Sequence, residues 1–375
     1  MKGKLGGGYI MSDKICSSAD KVLEVFLENA PMDTSHHRMV KQQNKCGYGL
    51  QGVCCRLCSN GPCRLSPAKP KGVCGADADT IACRNFLRQV AAGSGCYTHV
   101  VENTARRLKE MAQELQAEGK KPKYKDSVAK LAKILQINCC GNCGEGCPYN
   151  CAETAEMIAD AVLADIRKPY DEKMTLMKNI ALPKRYEVWE KLGILPGGAK
   201  DEIFNAVVKT STNLNSDPMD MLLQCLRLGI STGNYGLILT NLMNDIIMGP
   251  PQISMDPVGF RIIDPEYINI MITGHQQSMF ADLEEKLESE IVQKSAELVG
   301  AKGIRIVGCT CVGQDYQARS GCYKDVYCGH AGNNYTSEAV LMTGCVDLVV
   351  SEFNCTIPGI EPICEQLDIK MLCLD

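Results

Sequence analysis

The chain has 375 residues, 45% of them hydrophobic, enough to build two or three domain cores. Its net charge of -4 and pI near 5.9, with Lys and Arg scattered rather than clustered, exclude the basic footprint of a nucleic-acid binder. No run approaches the roughly 18 apolar residues that span a bilayer, and the opening MKGKLGGGYIMSDK has no apolar stretch of signal-peptide length, so a cytoplasmic protein without membrane partners is expected, with Met11 as a second candidate start.

Twenty-three cysteines in a chain of this size without an export signal favour metal binding or redox chemistry over disulfides, because the cytosol keeps thiols reduced. The first periodic segment, SADKVLEVFLENA, predicts a helix. A polar connector follows, in which His36 and His37 are expected to be solvated. Next comes the run Cys46-x7-Cys54-Cys55-x2-Cys58-x4-Cys63-x10-Cys74. Neighbouring residues point in different directions, so Cys54 and Cys55 suit two centres rather than one. A cubane cluster takes four thiolates. Cys55, Cys58, Cys63 and Cys74 complete one set, and Cys46 with Cys54 remain as half of another. A twofold axis would supply the other half, which predicts a homodimer sharing a cluster through Cys46 and Cys54. Glycines beside the cysteines let the backbone wrap a cluster and aim N–H groups at its sulfurs. Thiolate spacing leaves zinc open as the alternative metal.

Helical spacing continues through NTARRLKEMAQELQAEG and SVAKLAKIL to a second cysteine group, Cys139-Cys140-x2-Cys143-x3-Cys147-x3-Cys151. With its glycine and proline neighbours this group suits an additional iron–sulfur cluster or a zinc ion held by Cys140, Cys143, Cys147 and Cys151. The helix predicted after it, AETAEMIADAVLADI, would turn its N-terminal dipole toward the negative charge of a thiolate cluster. RYEVWEKLG and DPMDMLLQCLRLGI read as further helices, and Met-rich stretches as core filling. Residues 1–248 are therefore expected to be a helical domain carrying cysteine loops.

From Tyr267 the pattern changes to short apolar runs of β-branched type, INIMITGH, IRIVGCTC, VDLVVSEFNC and IKMLCLD, with one long helix, FADLEEKLESEIVQKSAELVG, after the first. Such runs predict strands buried on both faces of a parallel sheet with helical crossovers. Residues 249–375 are thus expected to form a Rossmann-like α/β domain, and the fold class is α + α/β. His275, Cys311 and Cys355 each fall just after a strand, at the carboxyl end where open α/β sheets place ligands. No G-x-G-x-x-G or P-loop competes for that place, so a metal site is expected there. A sheet that stops at Asp375, directly after an apolar strand, looks incomplete and suggests a fragment or dependence on a partner chain. Cys16, Cys83, Cys96, Cys225, Cys345, Cys364 and Cys373 lie in helical or strand patterns as packing residues. His330 stands between a ligand and a core role.

The stretch CGYGLQGVCCRLCSNGPCRL closely resembles the amino-terminal signature of the catalytic subunit of anaerobic nickel-dependent carbon monoxide dehydrogenases, in the carbon monoxide dehydrogenase and hybrid cluster protein superfamily. VWEKLGILPGGAKDEIF, DPMDMLLQCLRLGI, Gly274-His275, VGCTCVGQD and the strand ending in Cys355 extend the likeness over nearly the whole chain. The resemblance implies a [4Fe-4S] cluster shared between subunits on Cys46 and Cys54, and a second within the chain on Cys55, Cys58, Cys63 and Cys74. It also implies a nickel–iron–sulfur active cluster with His275, Cys311 and Cys355 among its ligands, His275 being catalytic. The implied reaction oxidises carbon monoxide with water to carbon dioxide, two protons and two electrons, the electrons leaving through the cubanes to a ferredoxin-like acceptor. The family's remaining active-cluster cysteines and its catalytic lysine belong to a second α/β domain with no counterpart in these residues.

Several positions depart from the family pattern. After Ala91-Ala92-Gly93 the family carries a ladder of histidines for proton transfer. Here SGCYTHVVENT puts Tyr97 and Val100 at the first histidine positions and His99 out of register. The glycine–histidine turn reads Thr273-Gly274-His275-Gln276-Gln277, the paired cysteines are Cys309-Thr310-Cys311, and CYKDVYCGH, with Cys322 and Cys328, reads as an insertion. Two alternatives follow: a nickel-free iron–sulfur–oxygen centre reducing hydroxylamine or a similar nitrogen compound, or an electron-transfer protein in which only the cubanes function.

Overall fold

The computed structural model describes residues 21–42, 44–138, 151–211, 215–253, 255–319, 326–352 and 354–374. Its contacts divide the chain into two units, Lys45–Pro250 and a second formed by Met1–Asn44 with Pro251–Asp375. The two N-terminal helices, α1 (Lys21–Glu28) and α2 (Ser35–Lys41), go with the sheet unit rather than the helical one. The reason lies in the fully buried Glu338 carboxylate, which takes the Ser35 N–H at 2.6 Å and pairs with Arg38. His36 and His37 are half-buried on α2 rather than solvated in a connector. The Thr34 N–H donates to His37 Nδ1 at 3.2 Å, closing the first turn of α2.

The helical unit opens with a short turn, α3 (Gly47–Leu50), and a two-residue hairpin ladder of β1 (Cys54–Cys55) and β2 (Cys63–Arg64). Its axis is α4 (Ala78–Ala117), a helix of 40 residues that starts where the Asp77 carboxylate accepts the Thr80 N–H at 2.9 Å. The sequence pattern marked only the second half of this helix, because Gly93 and Gly95 interrupt the first. Each glycine costs about 1 kcal/mol against alanine. Burial of Leu87, Ala91, Val100 and Val101 on one face outweighs that cost. Around α4 are placed α5 (Lys125–Leu135), α6 (Ala152–Ile166), α7 (Met177–Ile180), α8 (Pro183–Lys191), α9 (Ala199–Thr210), α10 (Pro218–Ser231) and α11 (Thr240–Ile247). A π-helical stretch, Thr232–Leu239, joins the last two. The main core sets Val101, Ala105 and Leu108 of α4 against Leu131 of α5, Ile158 and Val162 of α6 and Met243 of α11. A smaller one sets Leu87 and Ala91 against Ala206, Met221 and Leu228.

The sheet unit contains β3 (Ile268–Thr273), α12 (Ser278–Leu287), α13 (Glu290–Leu298), β4 (Ile304–Cys309), α14 (Thr310–Arg319), β5 (Tyr327–Gly332), α15 (Ser337–Leu341), β6 (Leu348–Ser351), α16 (Ile360–Gln366) and β7 (Lys370–Cys373). All five strands run parallel in the order β5-β4-β3-β6-β7. The chain steps outward through β4 and β5, returns to the other side of β3 at β6, and steps outward again. That reversal opens a crevice beside the carboxyl end of β3. Met271, Val307 and Val349 of the three central strands are fully buried in one core with Val340 and Leu341 of α15 and Ile360 of α16.

One expectation is corrected in this unit, and one segment gains a structural role. The predicted long helix after β3 is broken at Ser289, whose backbone turns extended and whose hydroxyl donates to the Lys286 carbonyl at 2.7 Å, ending α12. The segment read as an insertion supplies the edge strand β5. Gly329 and His330 interrupt its apolar run and hide the strand signal. Among the described residues no helix is long and apolar enough to cross a membrane.

Candidate metal centres

In the helical unit, Cys55 pairs with Cys63 across the β1–β2 ladder, and Cys54 pairs with Arg64. Successive strand residues face opposite sides. Cys55, Cys58, Cys63 and Cys74 accordingly line one small cavity together with Gly61, Gly72 and Ile81, while Cys46 and Cys54 do not line it. A Cβ on Gly61 would come within 3.0 Å of the Cys55 carbonyl, and one on Gly72 would reach 3.5 Å from the Cys63 sulfur, so the two glycines keep space open beside the thiols. The Ala76 N–H holds the Cys74 thiol below its usual range; burial opposes it, and Arg84 adds a lesser lowering. Cys46, exposed at the start of α3, is held low by the N–H groups of Gly49 and Tyr48. A hairpin too short to build a sheet is thus a device for pointing adjacent thiols in two directions.

In the sheet unit, His275, Cys311 and Cys355 bring their ligand atoms within 4.8 Å of one another. They follow β3, β4 and β6, which are three adjacent strands. The two sulfurs are 3.1 Å apart. The hydrogen bond from Cys355, then His275, pulls the Cys311 thiol down to about 4. The same contact, together with burial, pushes Cys355 up. One imidazole and two thiols, half-buried and converging, are a borderline-soft donor set of the kind that takes nickel, iron or zinc.

The backbone that presents these ligands leaves the strands sharply. Thr310, Asn354 and Cys355 have φ of 57°, 58° and 56°, a region costly for residues other than glycine and most unusual for a β-branched one. Hydrogen bonds hold it there. The Thr310 hydroxyl accepts the Gly274 N–H at 2.8 Å and donates to the Gly274 carbonyl at 2.9 Å. The Thr356 hydroxyl donates to the Glu352 carbonyl at 3.0 Å. The buried Glu352 carboxylate takes the backbone N–H of His275 and, at 2.8 Å, that of Gln276. Gly274 has φ of 138°, and a Cβ there would lie 2.9 Å from Glu352 Cβ, so the residue before His275 must be glycine. Turning at Thr310 also separates the paired cysteines: Cys309 points into the core, where burial pushes its thiol to about 12, and Cys311 points to the site.

Other candidates are placed as follows. Cys140, Cys143 and Cys147 lie outside the described residues, as do Cys16 and Cys322. Cys151 is buried at the start of α6, its sulfur taking the Thr154 N–H at 3.4 Å. Cys225 and Cys364 are buried, whereas Cys373 is exposed on the edge strand β7. His330 sits on β5 with Nε2 3.1 Å from the Thr310 carbonyl, beside the site but not among the three converging ligands.

The sequence profile described as the Prismane/CO dehydrogenase family matches residues 53–375. The chain belongs to that family. It is 45% identical over 366 residues to a carbon monoxide dehydrogenase of Methanopyrus kandleri, covering 97% of this chain and 55% of the relative. It is 43% identical over 365 residues to that of Methanocaldococcus jannaschii, covering 96% and 57%. The chain therefore spans about half the length of the curated relatives it matches. Among solved structures, the nickel-free, as-isolated carbon monoxide dehydrogenase of Thermococcus sp. AM4 superposes with a TM-score of 0.84 at 30% identity over 94% of this chain and 54% of that one. Carbon monoxide dehydrogenase IV of Carboxydothermus hydrogenoformans gives 0.80 at 30% identity with the same coverage.

For a member of the Prismane/CO dehydrogenase family, the α + α/β class read from periodicity is the class found. The residues that sequence reasoning missed are the ones bracing the strand ends: Thr310, Glu352 and Thr356. A hydroxyl between two cysteines and an acid directly after an apolar strand were the available signals, but their use depends on which strands are neighbours.

Proposed function

We propose that this chain is the cluster-bearing part of an anaerobic carbon monoxide dehydrogenase that oxidises carbon monoxide with water to carbon dioxide, releasing two protons and two electrons. The observation that carries the reading is the meeting of His275, Cys311 and Cys355 at the ends of three adjacent strands. The donor set fits a nickel–iron–sulfur cluster, which when bound would supply Lewis acidity toward carbon monoxide and water together with redox capacity. The chain's own contribution is placement. Glu352 fixes the backbone of His275, Thr310 fixes the entry to Cys311, and the two sulfurs would bind a soft metal as thiolates, any thiol proton being released to solvent. The cavity of Cys55, Cys58, Cys63 and Cys74 is read as the seat of a [4Fe-4S] cluster. Tetrahedral zinc with thiolates at 2.3 Å needs sulfurs about 3.8 Å apart. Metal analysis of this site separates a cluster from zinc, since thiolate ligands alone suit both.

On this reading Cys46 and Cys54 hold half of a cluster shared in a cytoplasmic homodimer, and electrons leave to a ferredoxin-like acceptor. An additional cluster or zinc ion belongs to Cys140, Cys143, Cys147 and Cys151. The test is metal analysis of anaerobically purified protein together with viologen reduction under carbon monoxide. About eight to ten irons and one nickel per chain, with four irons per cubane, plus one zinc or about four further irons for the Cys140–Cys151 group, and dye reduction that needs the gas are expected. A nickel-loaded, iron-replete protein inert to carbon monoxide would sink the reading.

A second reading, hydroxylamine reduction at a nickel-free centre, is favoured by α4. Val100 and Thr98 are buried, Tyr97 is half-buried, and His99 is exposed with Nε2 3.0 Å from Asn103. No imidazole ladder runs along this part of α4. Iron without nickel and hydroxylamine-dependent oxidation of reduced viologen would select it.

A further inference from the structure

Resting on the reading that Cys55, Cys58, Cys63 and Cys74 hold a [4Fe-4S] cluster, we propose that Arg84 sets the reduction potential of that cluster by donating from a buried guanidinium to the Cys74 sulfur. Arg84 lies in the first turns of α4 and is only 3% exposed. Its Nη1 is 3.9 Å from Cys74 Sγ. Its Nη2 and Nε donate to the Asn215 carbonyl at 2.8 and 3.3 Å. That carbonyl is itself held in place. The Asn215 side chain accepts the Asp217 N–H at 2.7 Å and donates to Asp220, and the next carbonyl, of Ser216, accepts from the Thr80 hydroxyl at 3.1 Å. The guanidinium is therefore clamped by the segment leading into α10 while its Nη1 reaches the sulfur.

Reduction of the cluster adds one electron and no proton, and the new negative charge spreads over iron and sulfur. A cationic N–H donor on a ligand sulfur stabilises the reduced state more than the oxidised one, so it raises the potential. The Ala76 N–H serves the same sulfur but brings no net charge. The cluster is thereby tuned toward accepting electrons, and Arg84 is a positioning residue that acts through Cys74.

The test is a dithionite titration of the full chain, followed by the electron paramagnetic resonance of the reduced cluster. The intrachain cluster is recognised as the signal absent from Cys58→Ser. In Arg84→Gln the reduced-to-oxidised ratio at a fixed potential is expected to fall about tenfold, a shift of about 59 mV to more negative potential for one electron. In Arg84→Lys, which keeps the charge but cannot fork between carbonyl and sulfur, a smaller fall in the same direction is expected. A midpoint in Arg84→Gln equal to that of the unsubstituted protein overturns the proposal. Should that variant bind no iron, an unshifted midpoint in Arg84→Lys overturns it instead. Wild-type protein holding zinc at these cysteines, with no reduced-cluster signal, would overturn the underlying reading of the site, a result distinguishable from an unshifted potential.

Discussion

At the scale of single residues, the strand-end site is defined as much by Thr310 as by its ligands. Its hydroxyl both accepts from and donates to Gly274, and it holds a left-handed backbone that turns Cys311 outward. Thr310→Val keeps the shape and removes the hydroxyl. A loss of about 1–3 kcal/mol is expected from the buried Gly274 groups left without that partner, read as a lower denaturant midpoint with unchanged slope. His275→Ala should act differently. Carbon-monoxide-dependent dye reduction is expected to fall to background, with iron loss confined to the active centre and the reduced-cubane signals intact. The convergence of His275, Cys311 and Cys355 was legible because each follows an apolar run. Thr310, Glu352 and Thr356 were not, since nothing local says that residues 274 and 310, or 275 and 352, will be neighbours. That information resides in the strand order.

At the scale of elements, helices were read well where periodicity was clean and poorly where a local breaker was overruled. Gly93 and Gly95 failed to end α4 because its apolar face continues past them, whereas Ser289 did end α12 because its hydroxyl offers the backbone another partner. β5 went unread because Gly329 and His330 erase its apolar run, although pairing with β4 makes it a strand. The long helix also carries an electrostatic joint. Burial would raise the carboxyl of Glu102, but Lys200, Arg167 and Arg106 gather on it and bring it to about 2. Its folded pKa lies below the unfolded value near 4.3, so this stabilisation is complete above that pH and is lost as pH falls toward 2. The three cations are about half exposed, and with solvent screening the contribution is on the order of 1–3 kcal/mol. Acid unfolding of Glu102→Gln followed by circular dichroism should show a correspondingly shallower loss of stability between pH 5 and pH 2.

At the scale of the whole molecule, each of the two units has its own core and its own thiol site. The cysteine spacing around Cys54 and Cys55 makes a quaternary prediction. Cys46→Ser should cost about two irons per chain, half of a shared cubane, and shift sedimentation from dimer to monomer while leaving the intrachain cluster signal in place. Retention of the dimer with full iron would remove the shared-cluster proposal.

The left-handed turns at Thr310 and Cys355 bear on how such a protein is matured. The bonds that hold them, from Gly274, Glu352 and Thr356, are made entirely within the polypeptide. Such bonds brace the socket without any contribution from a metal, unlike those of a zinc finger, whose fold waits for its ion. Metal capture at this site should then show little heat-capacity change and a rate set by ligand deprotonation and delivery, with no refolding step to slow it.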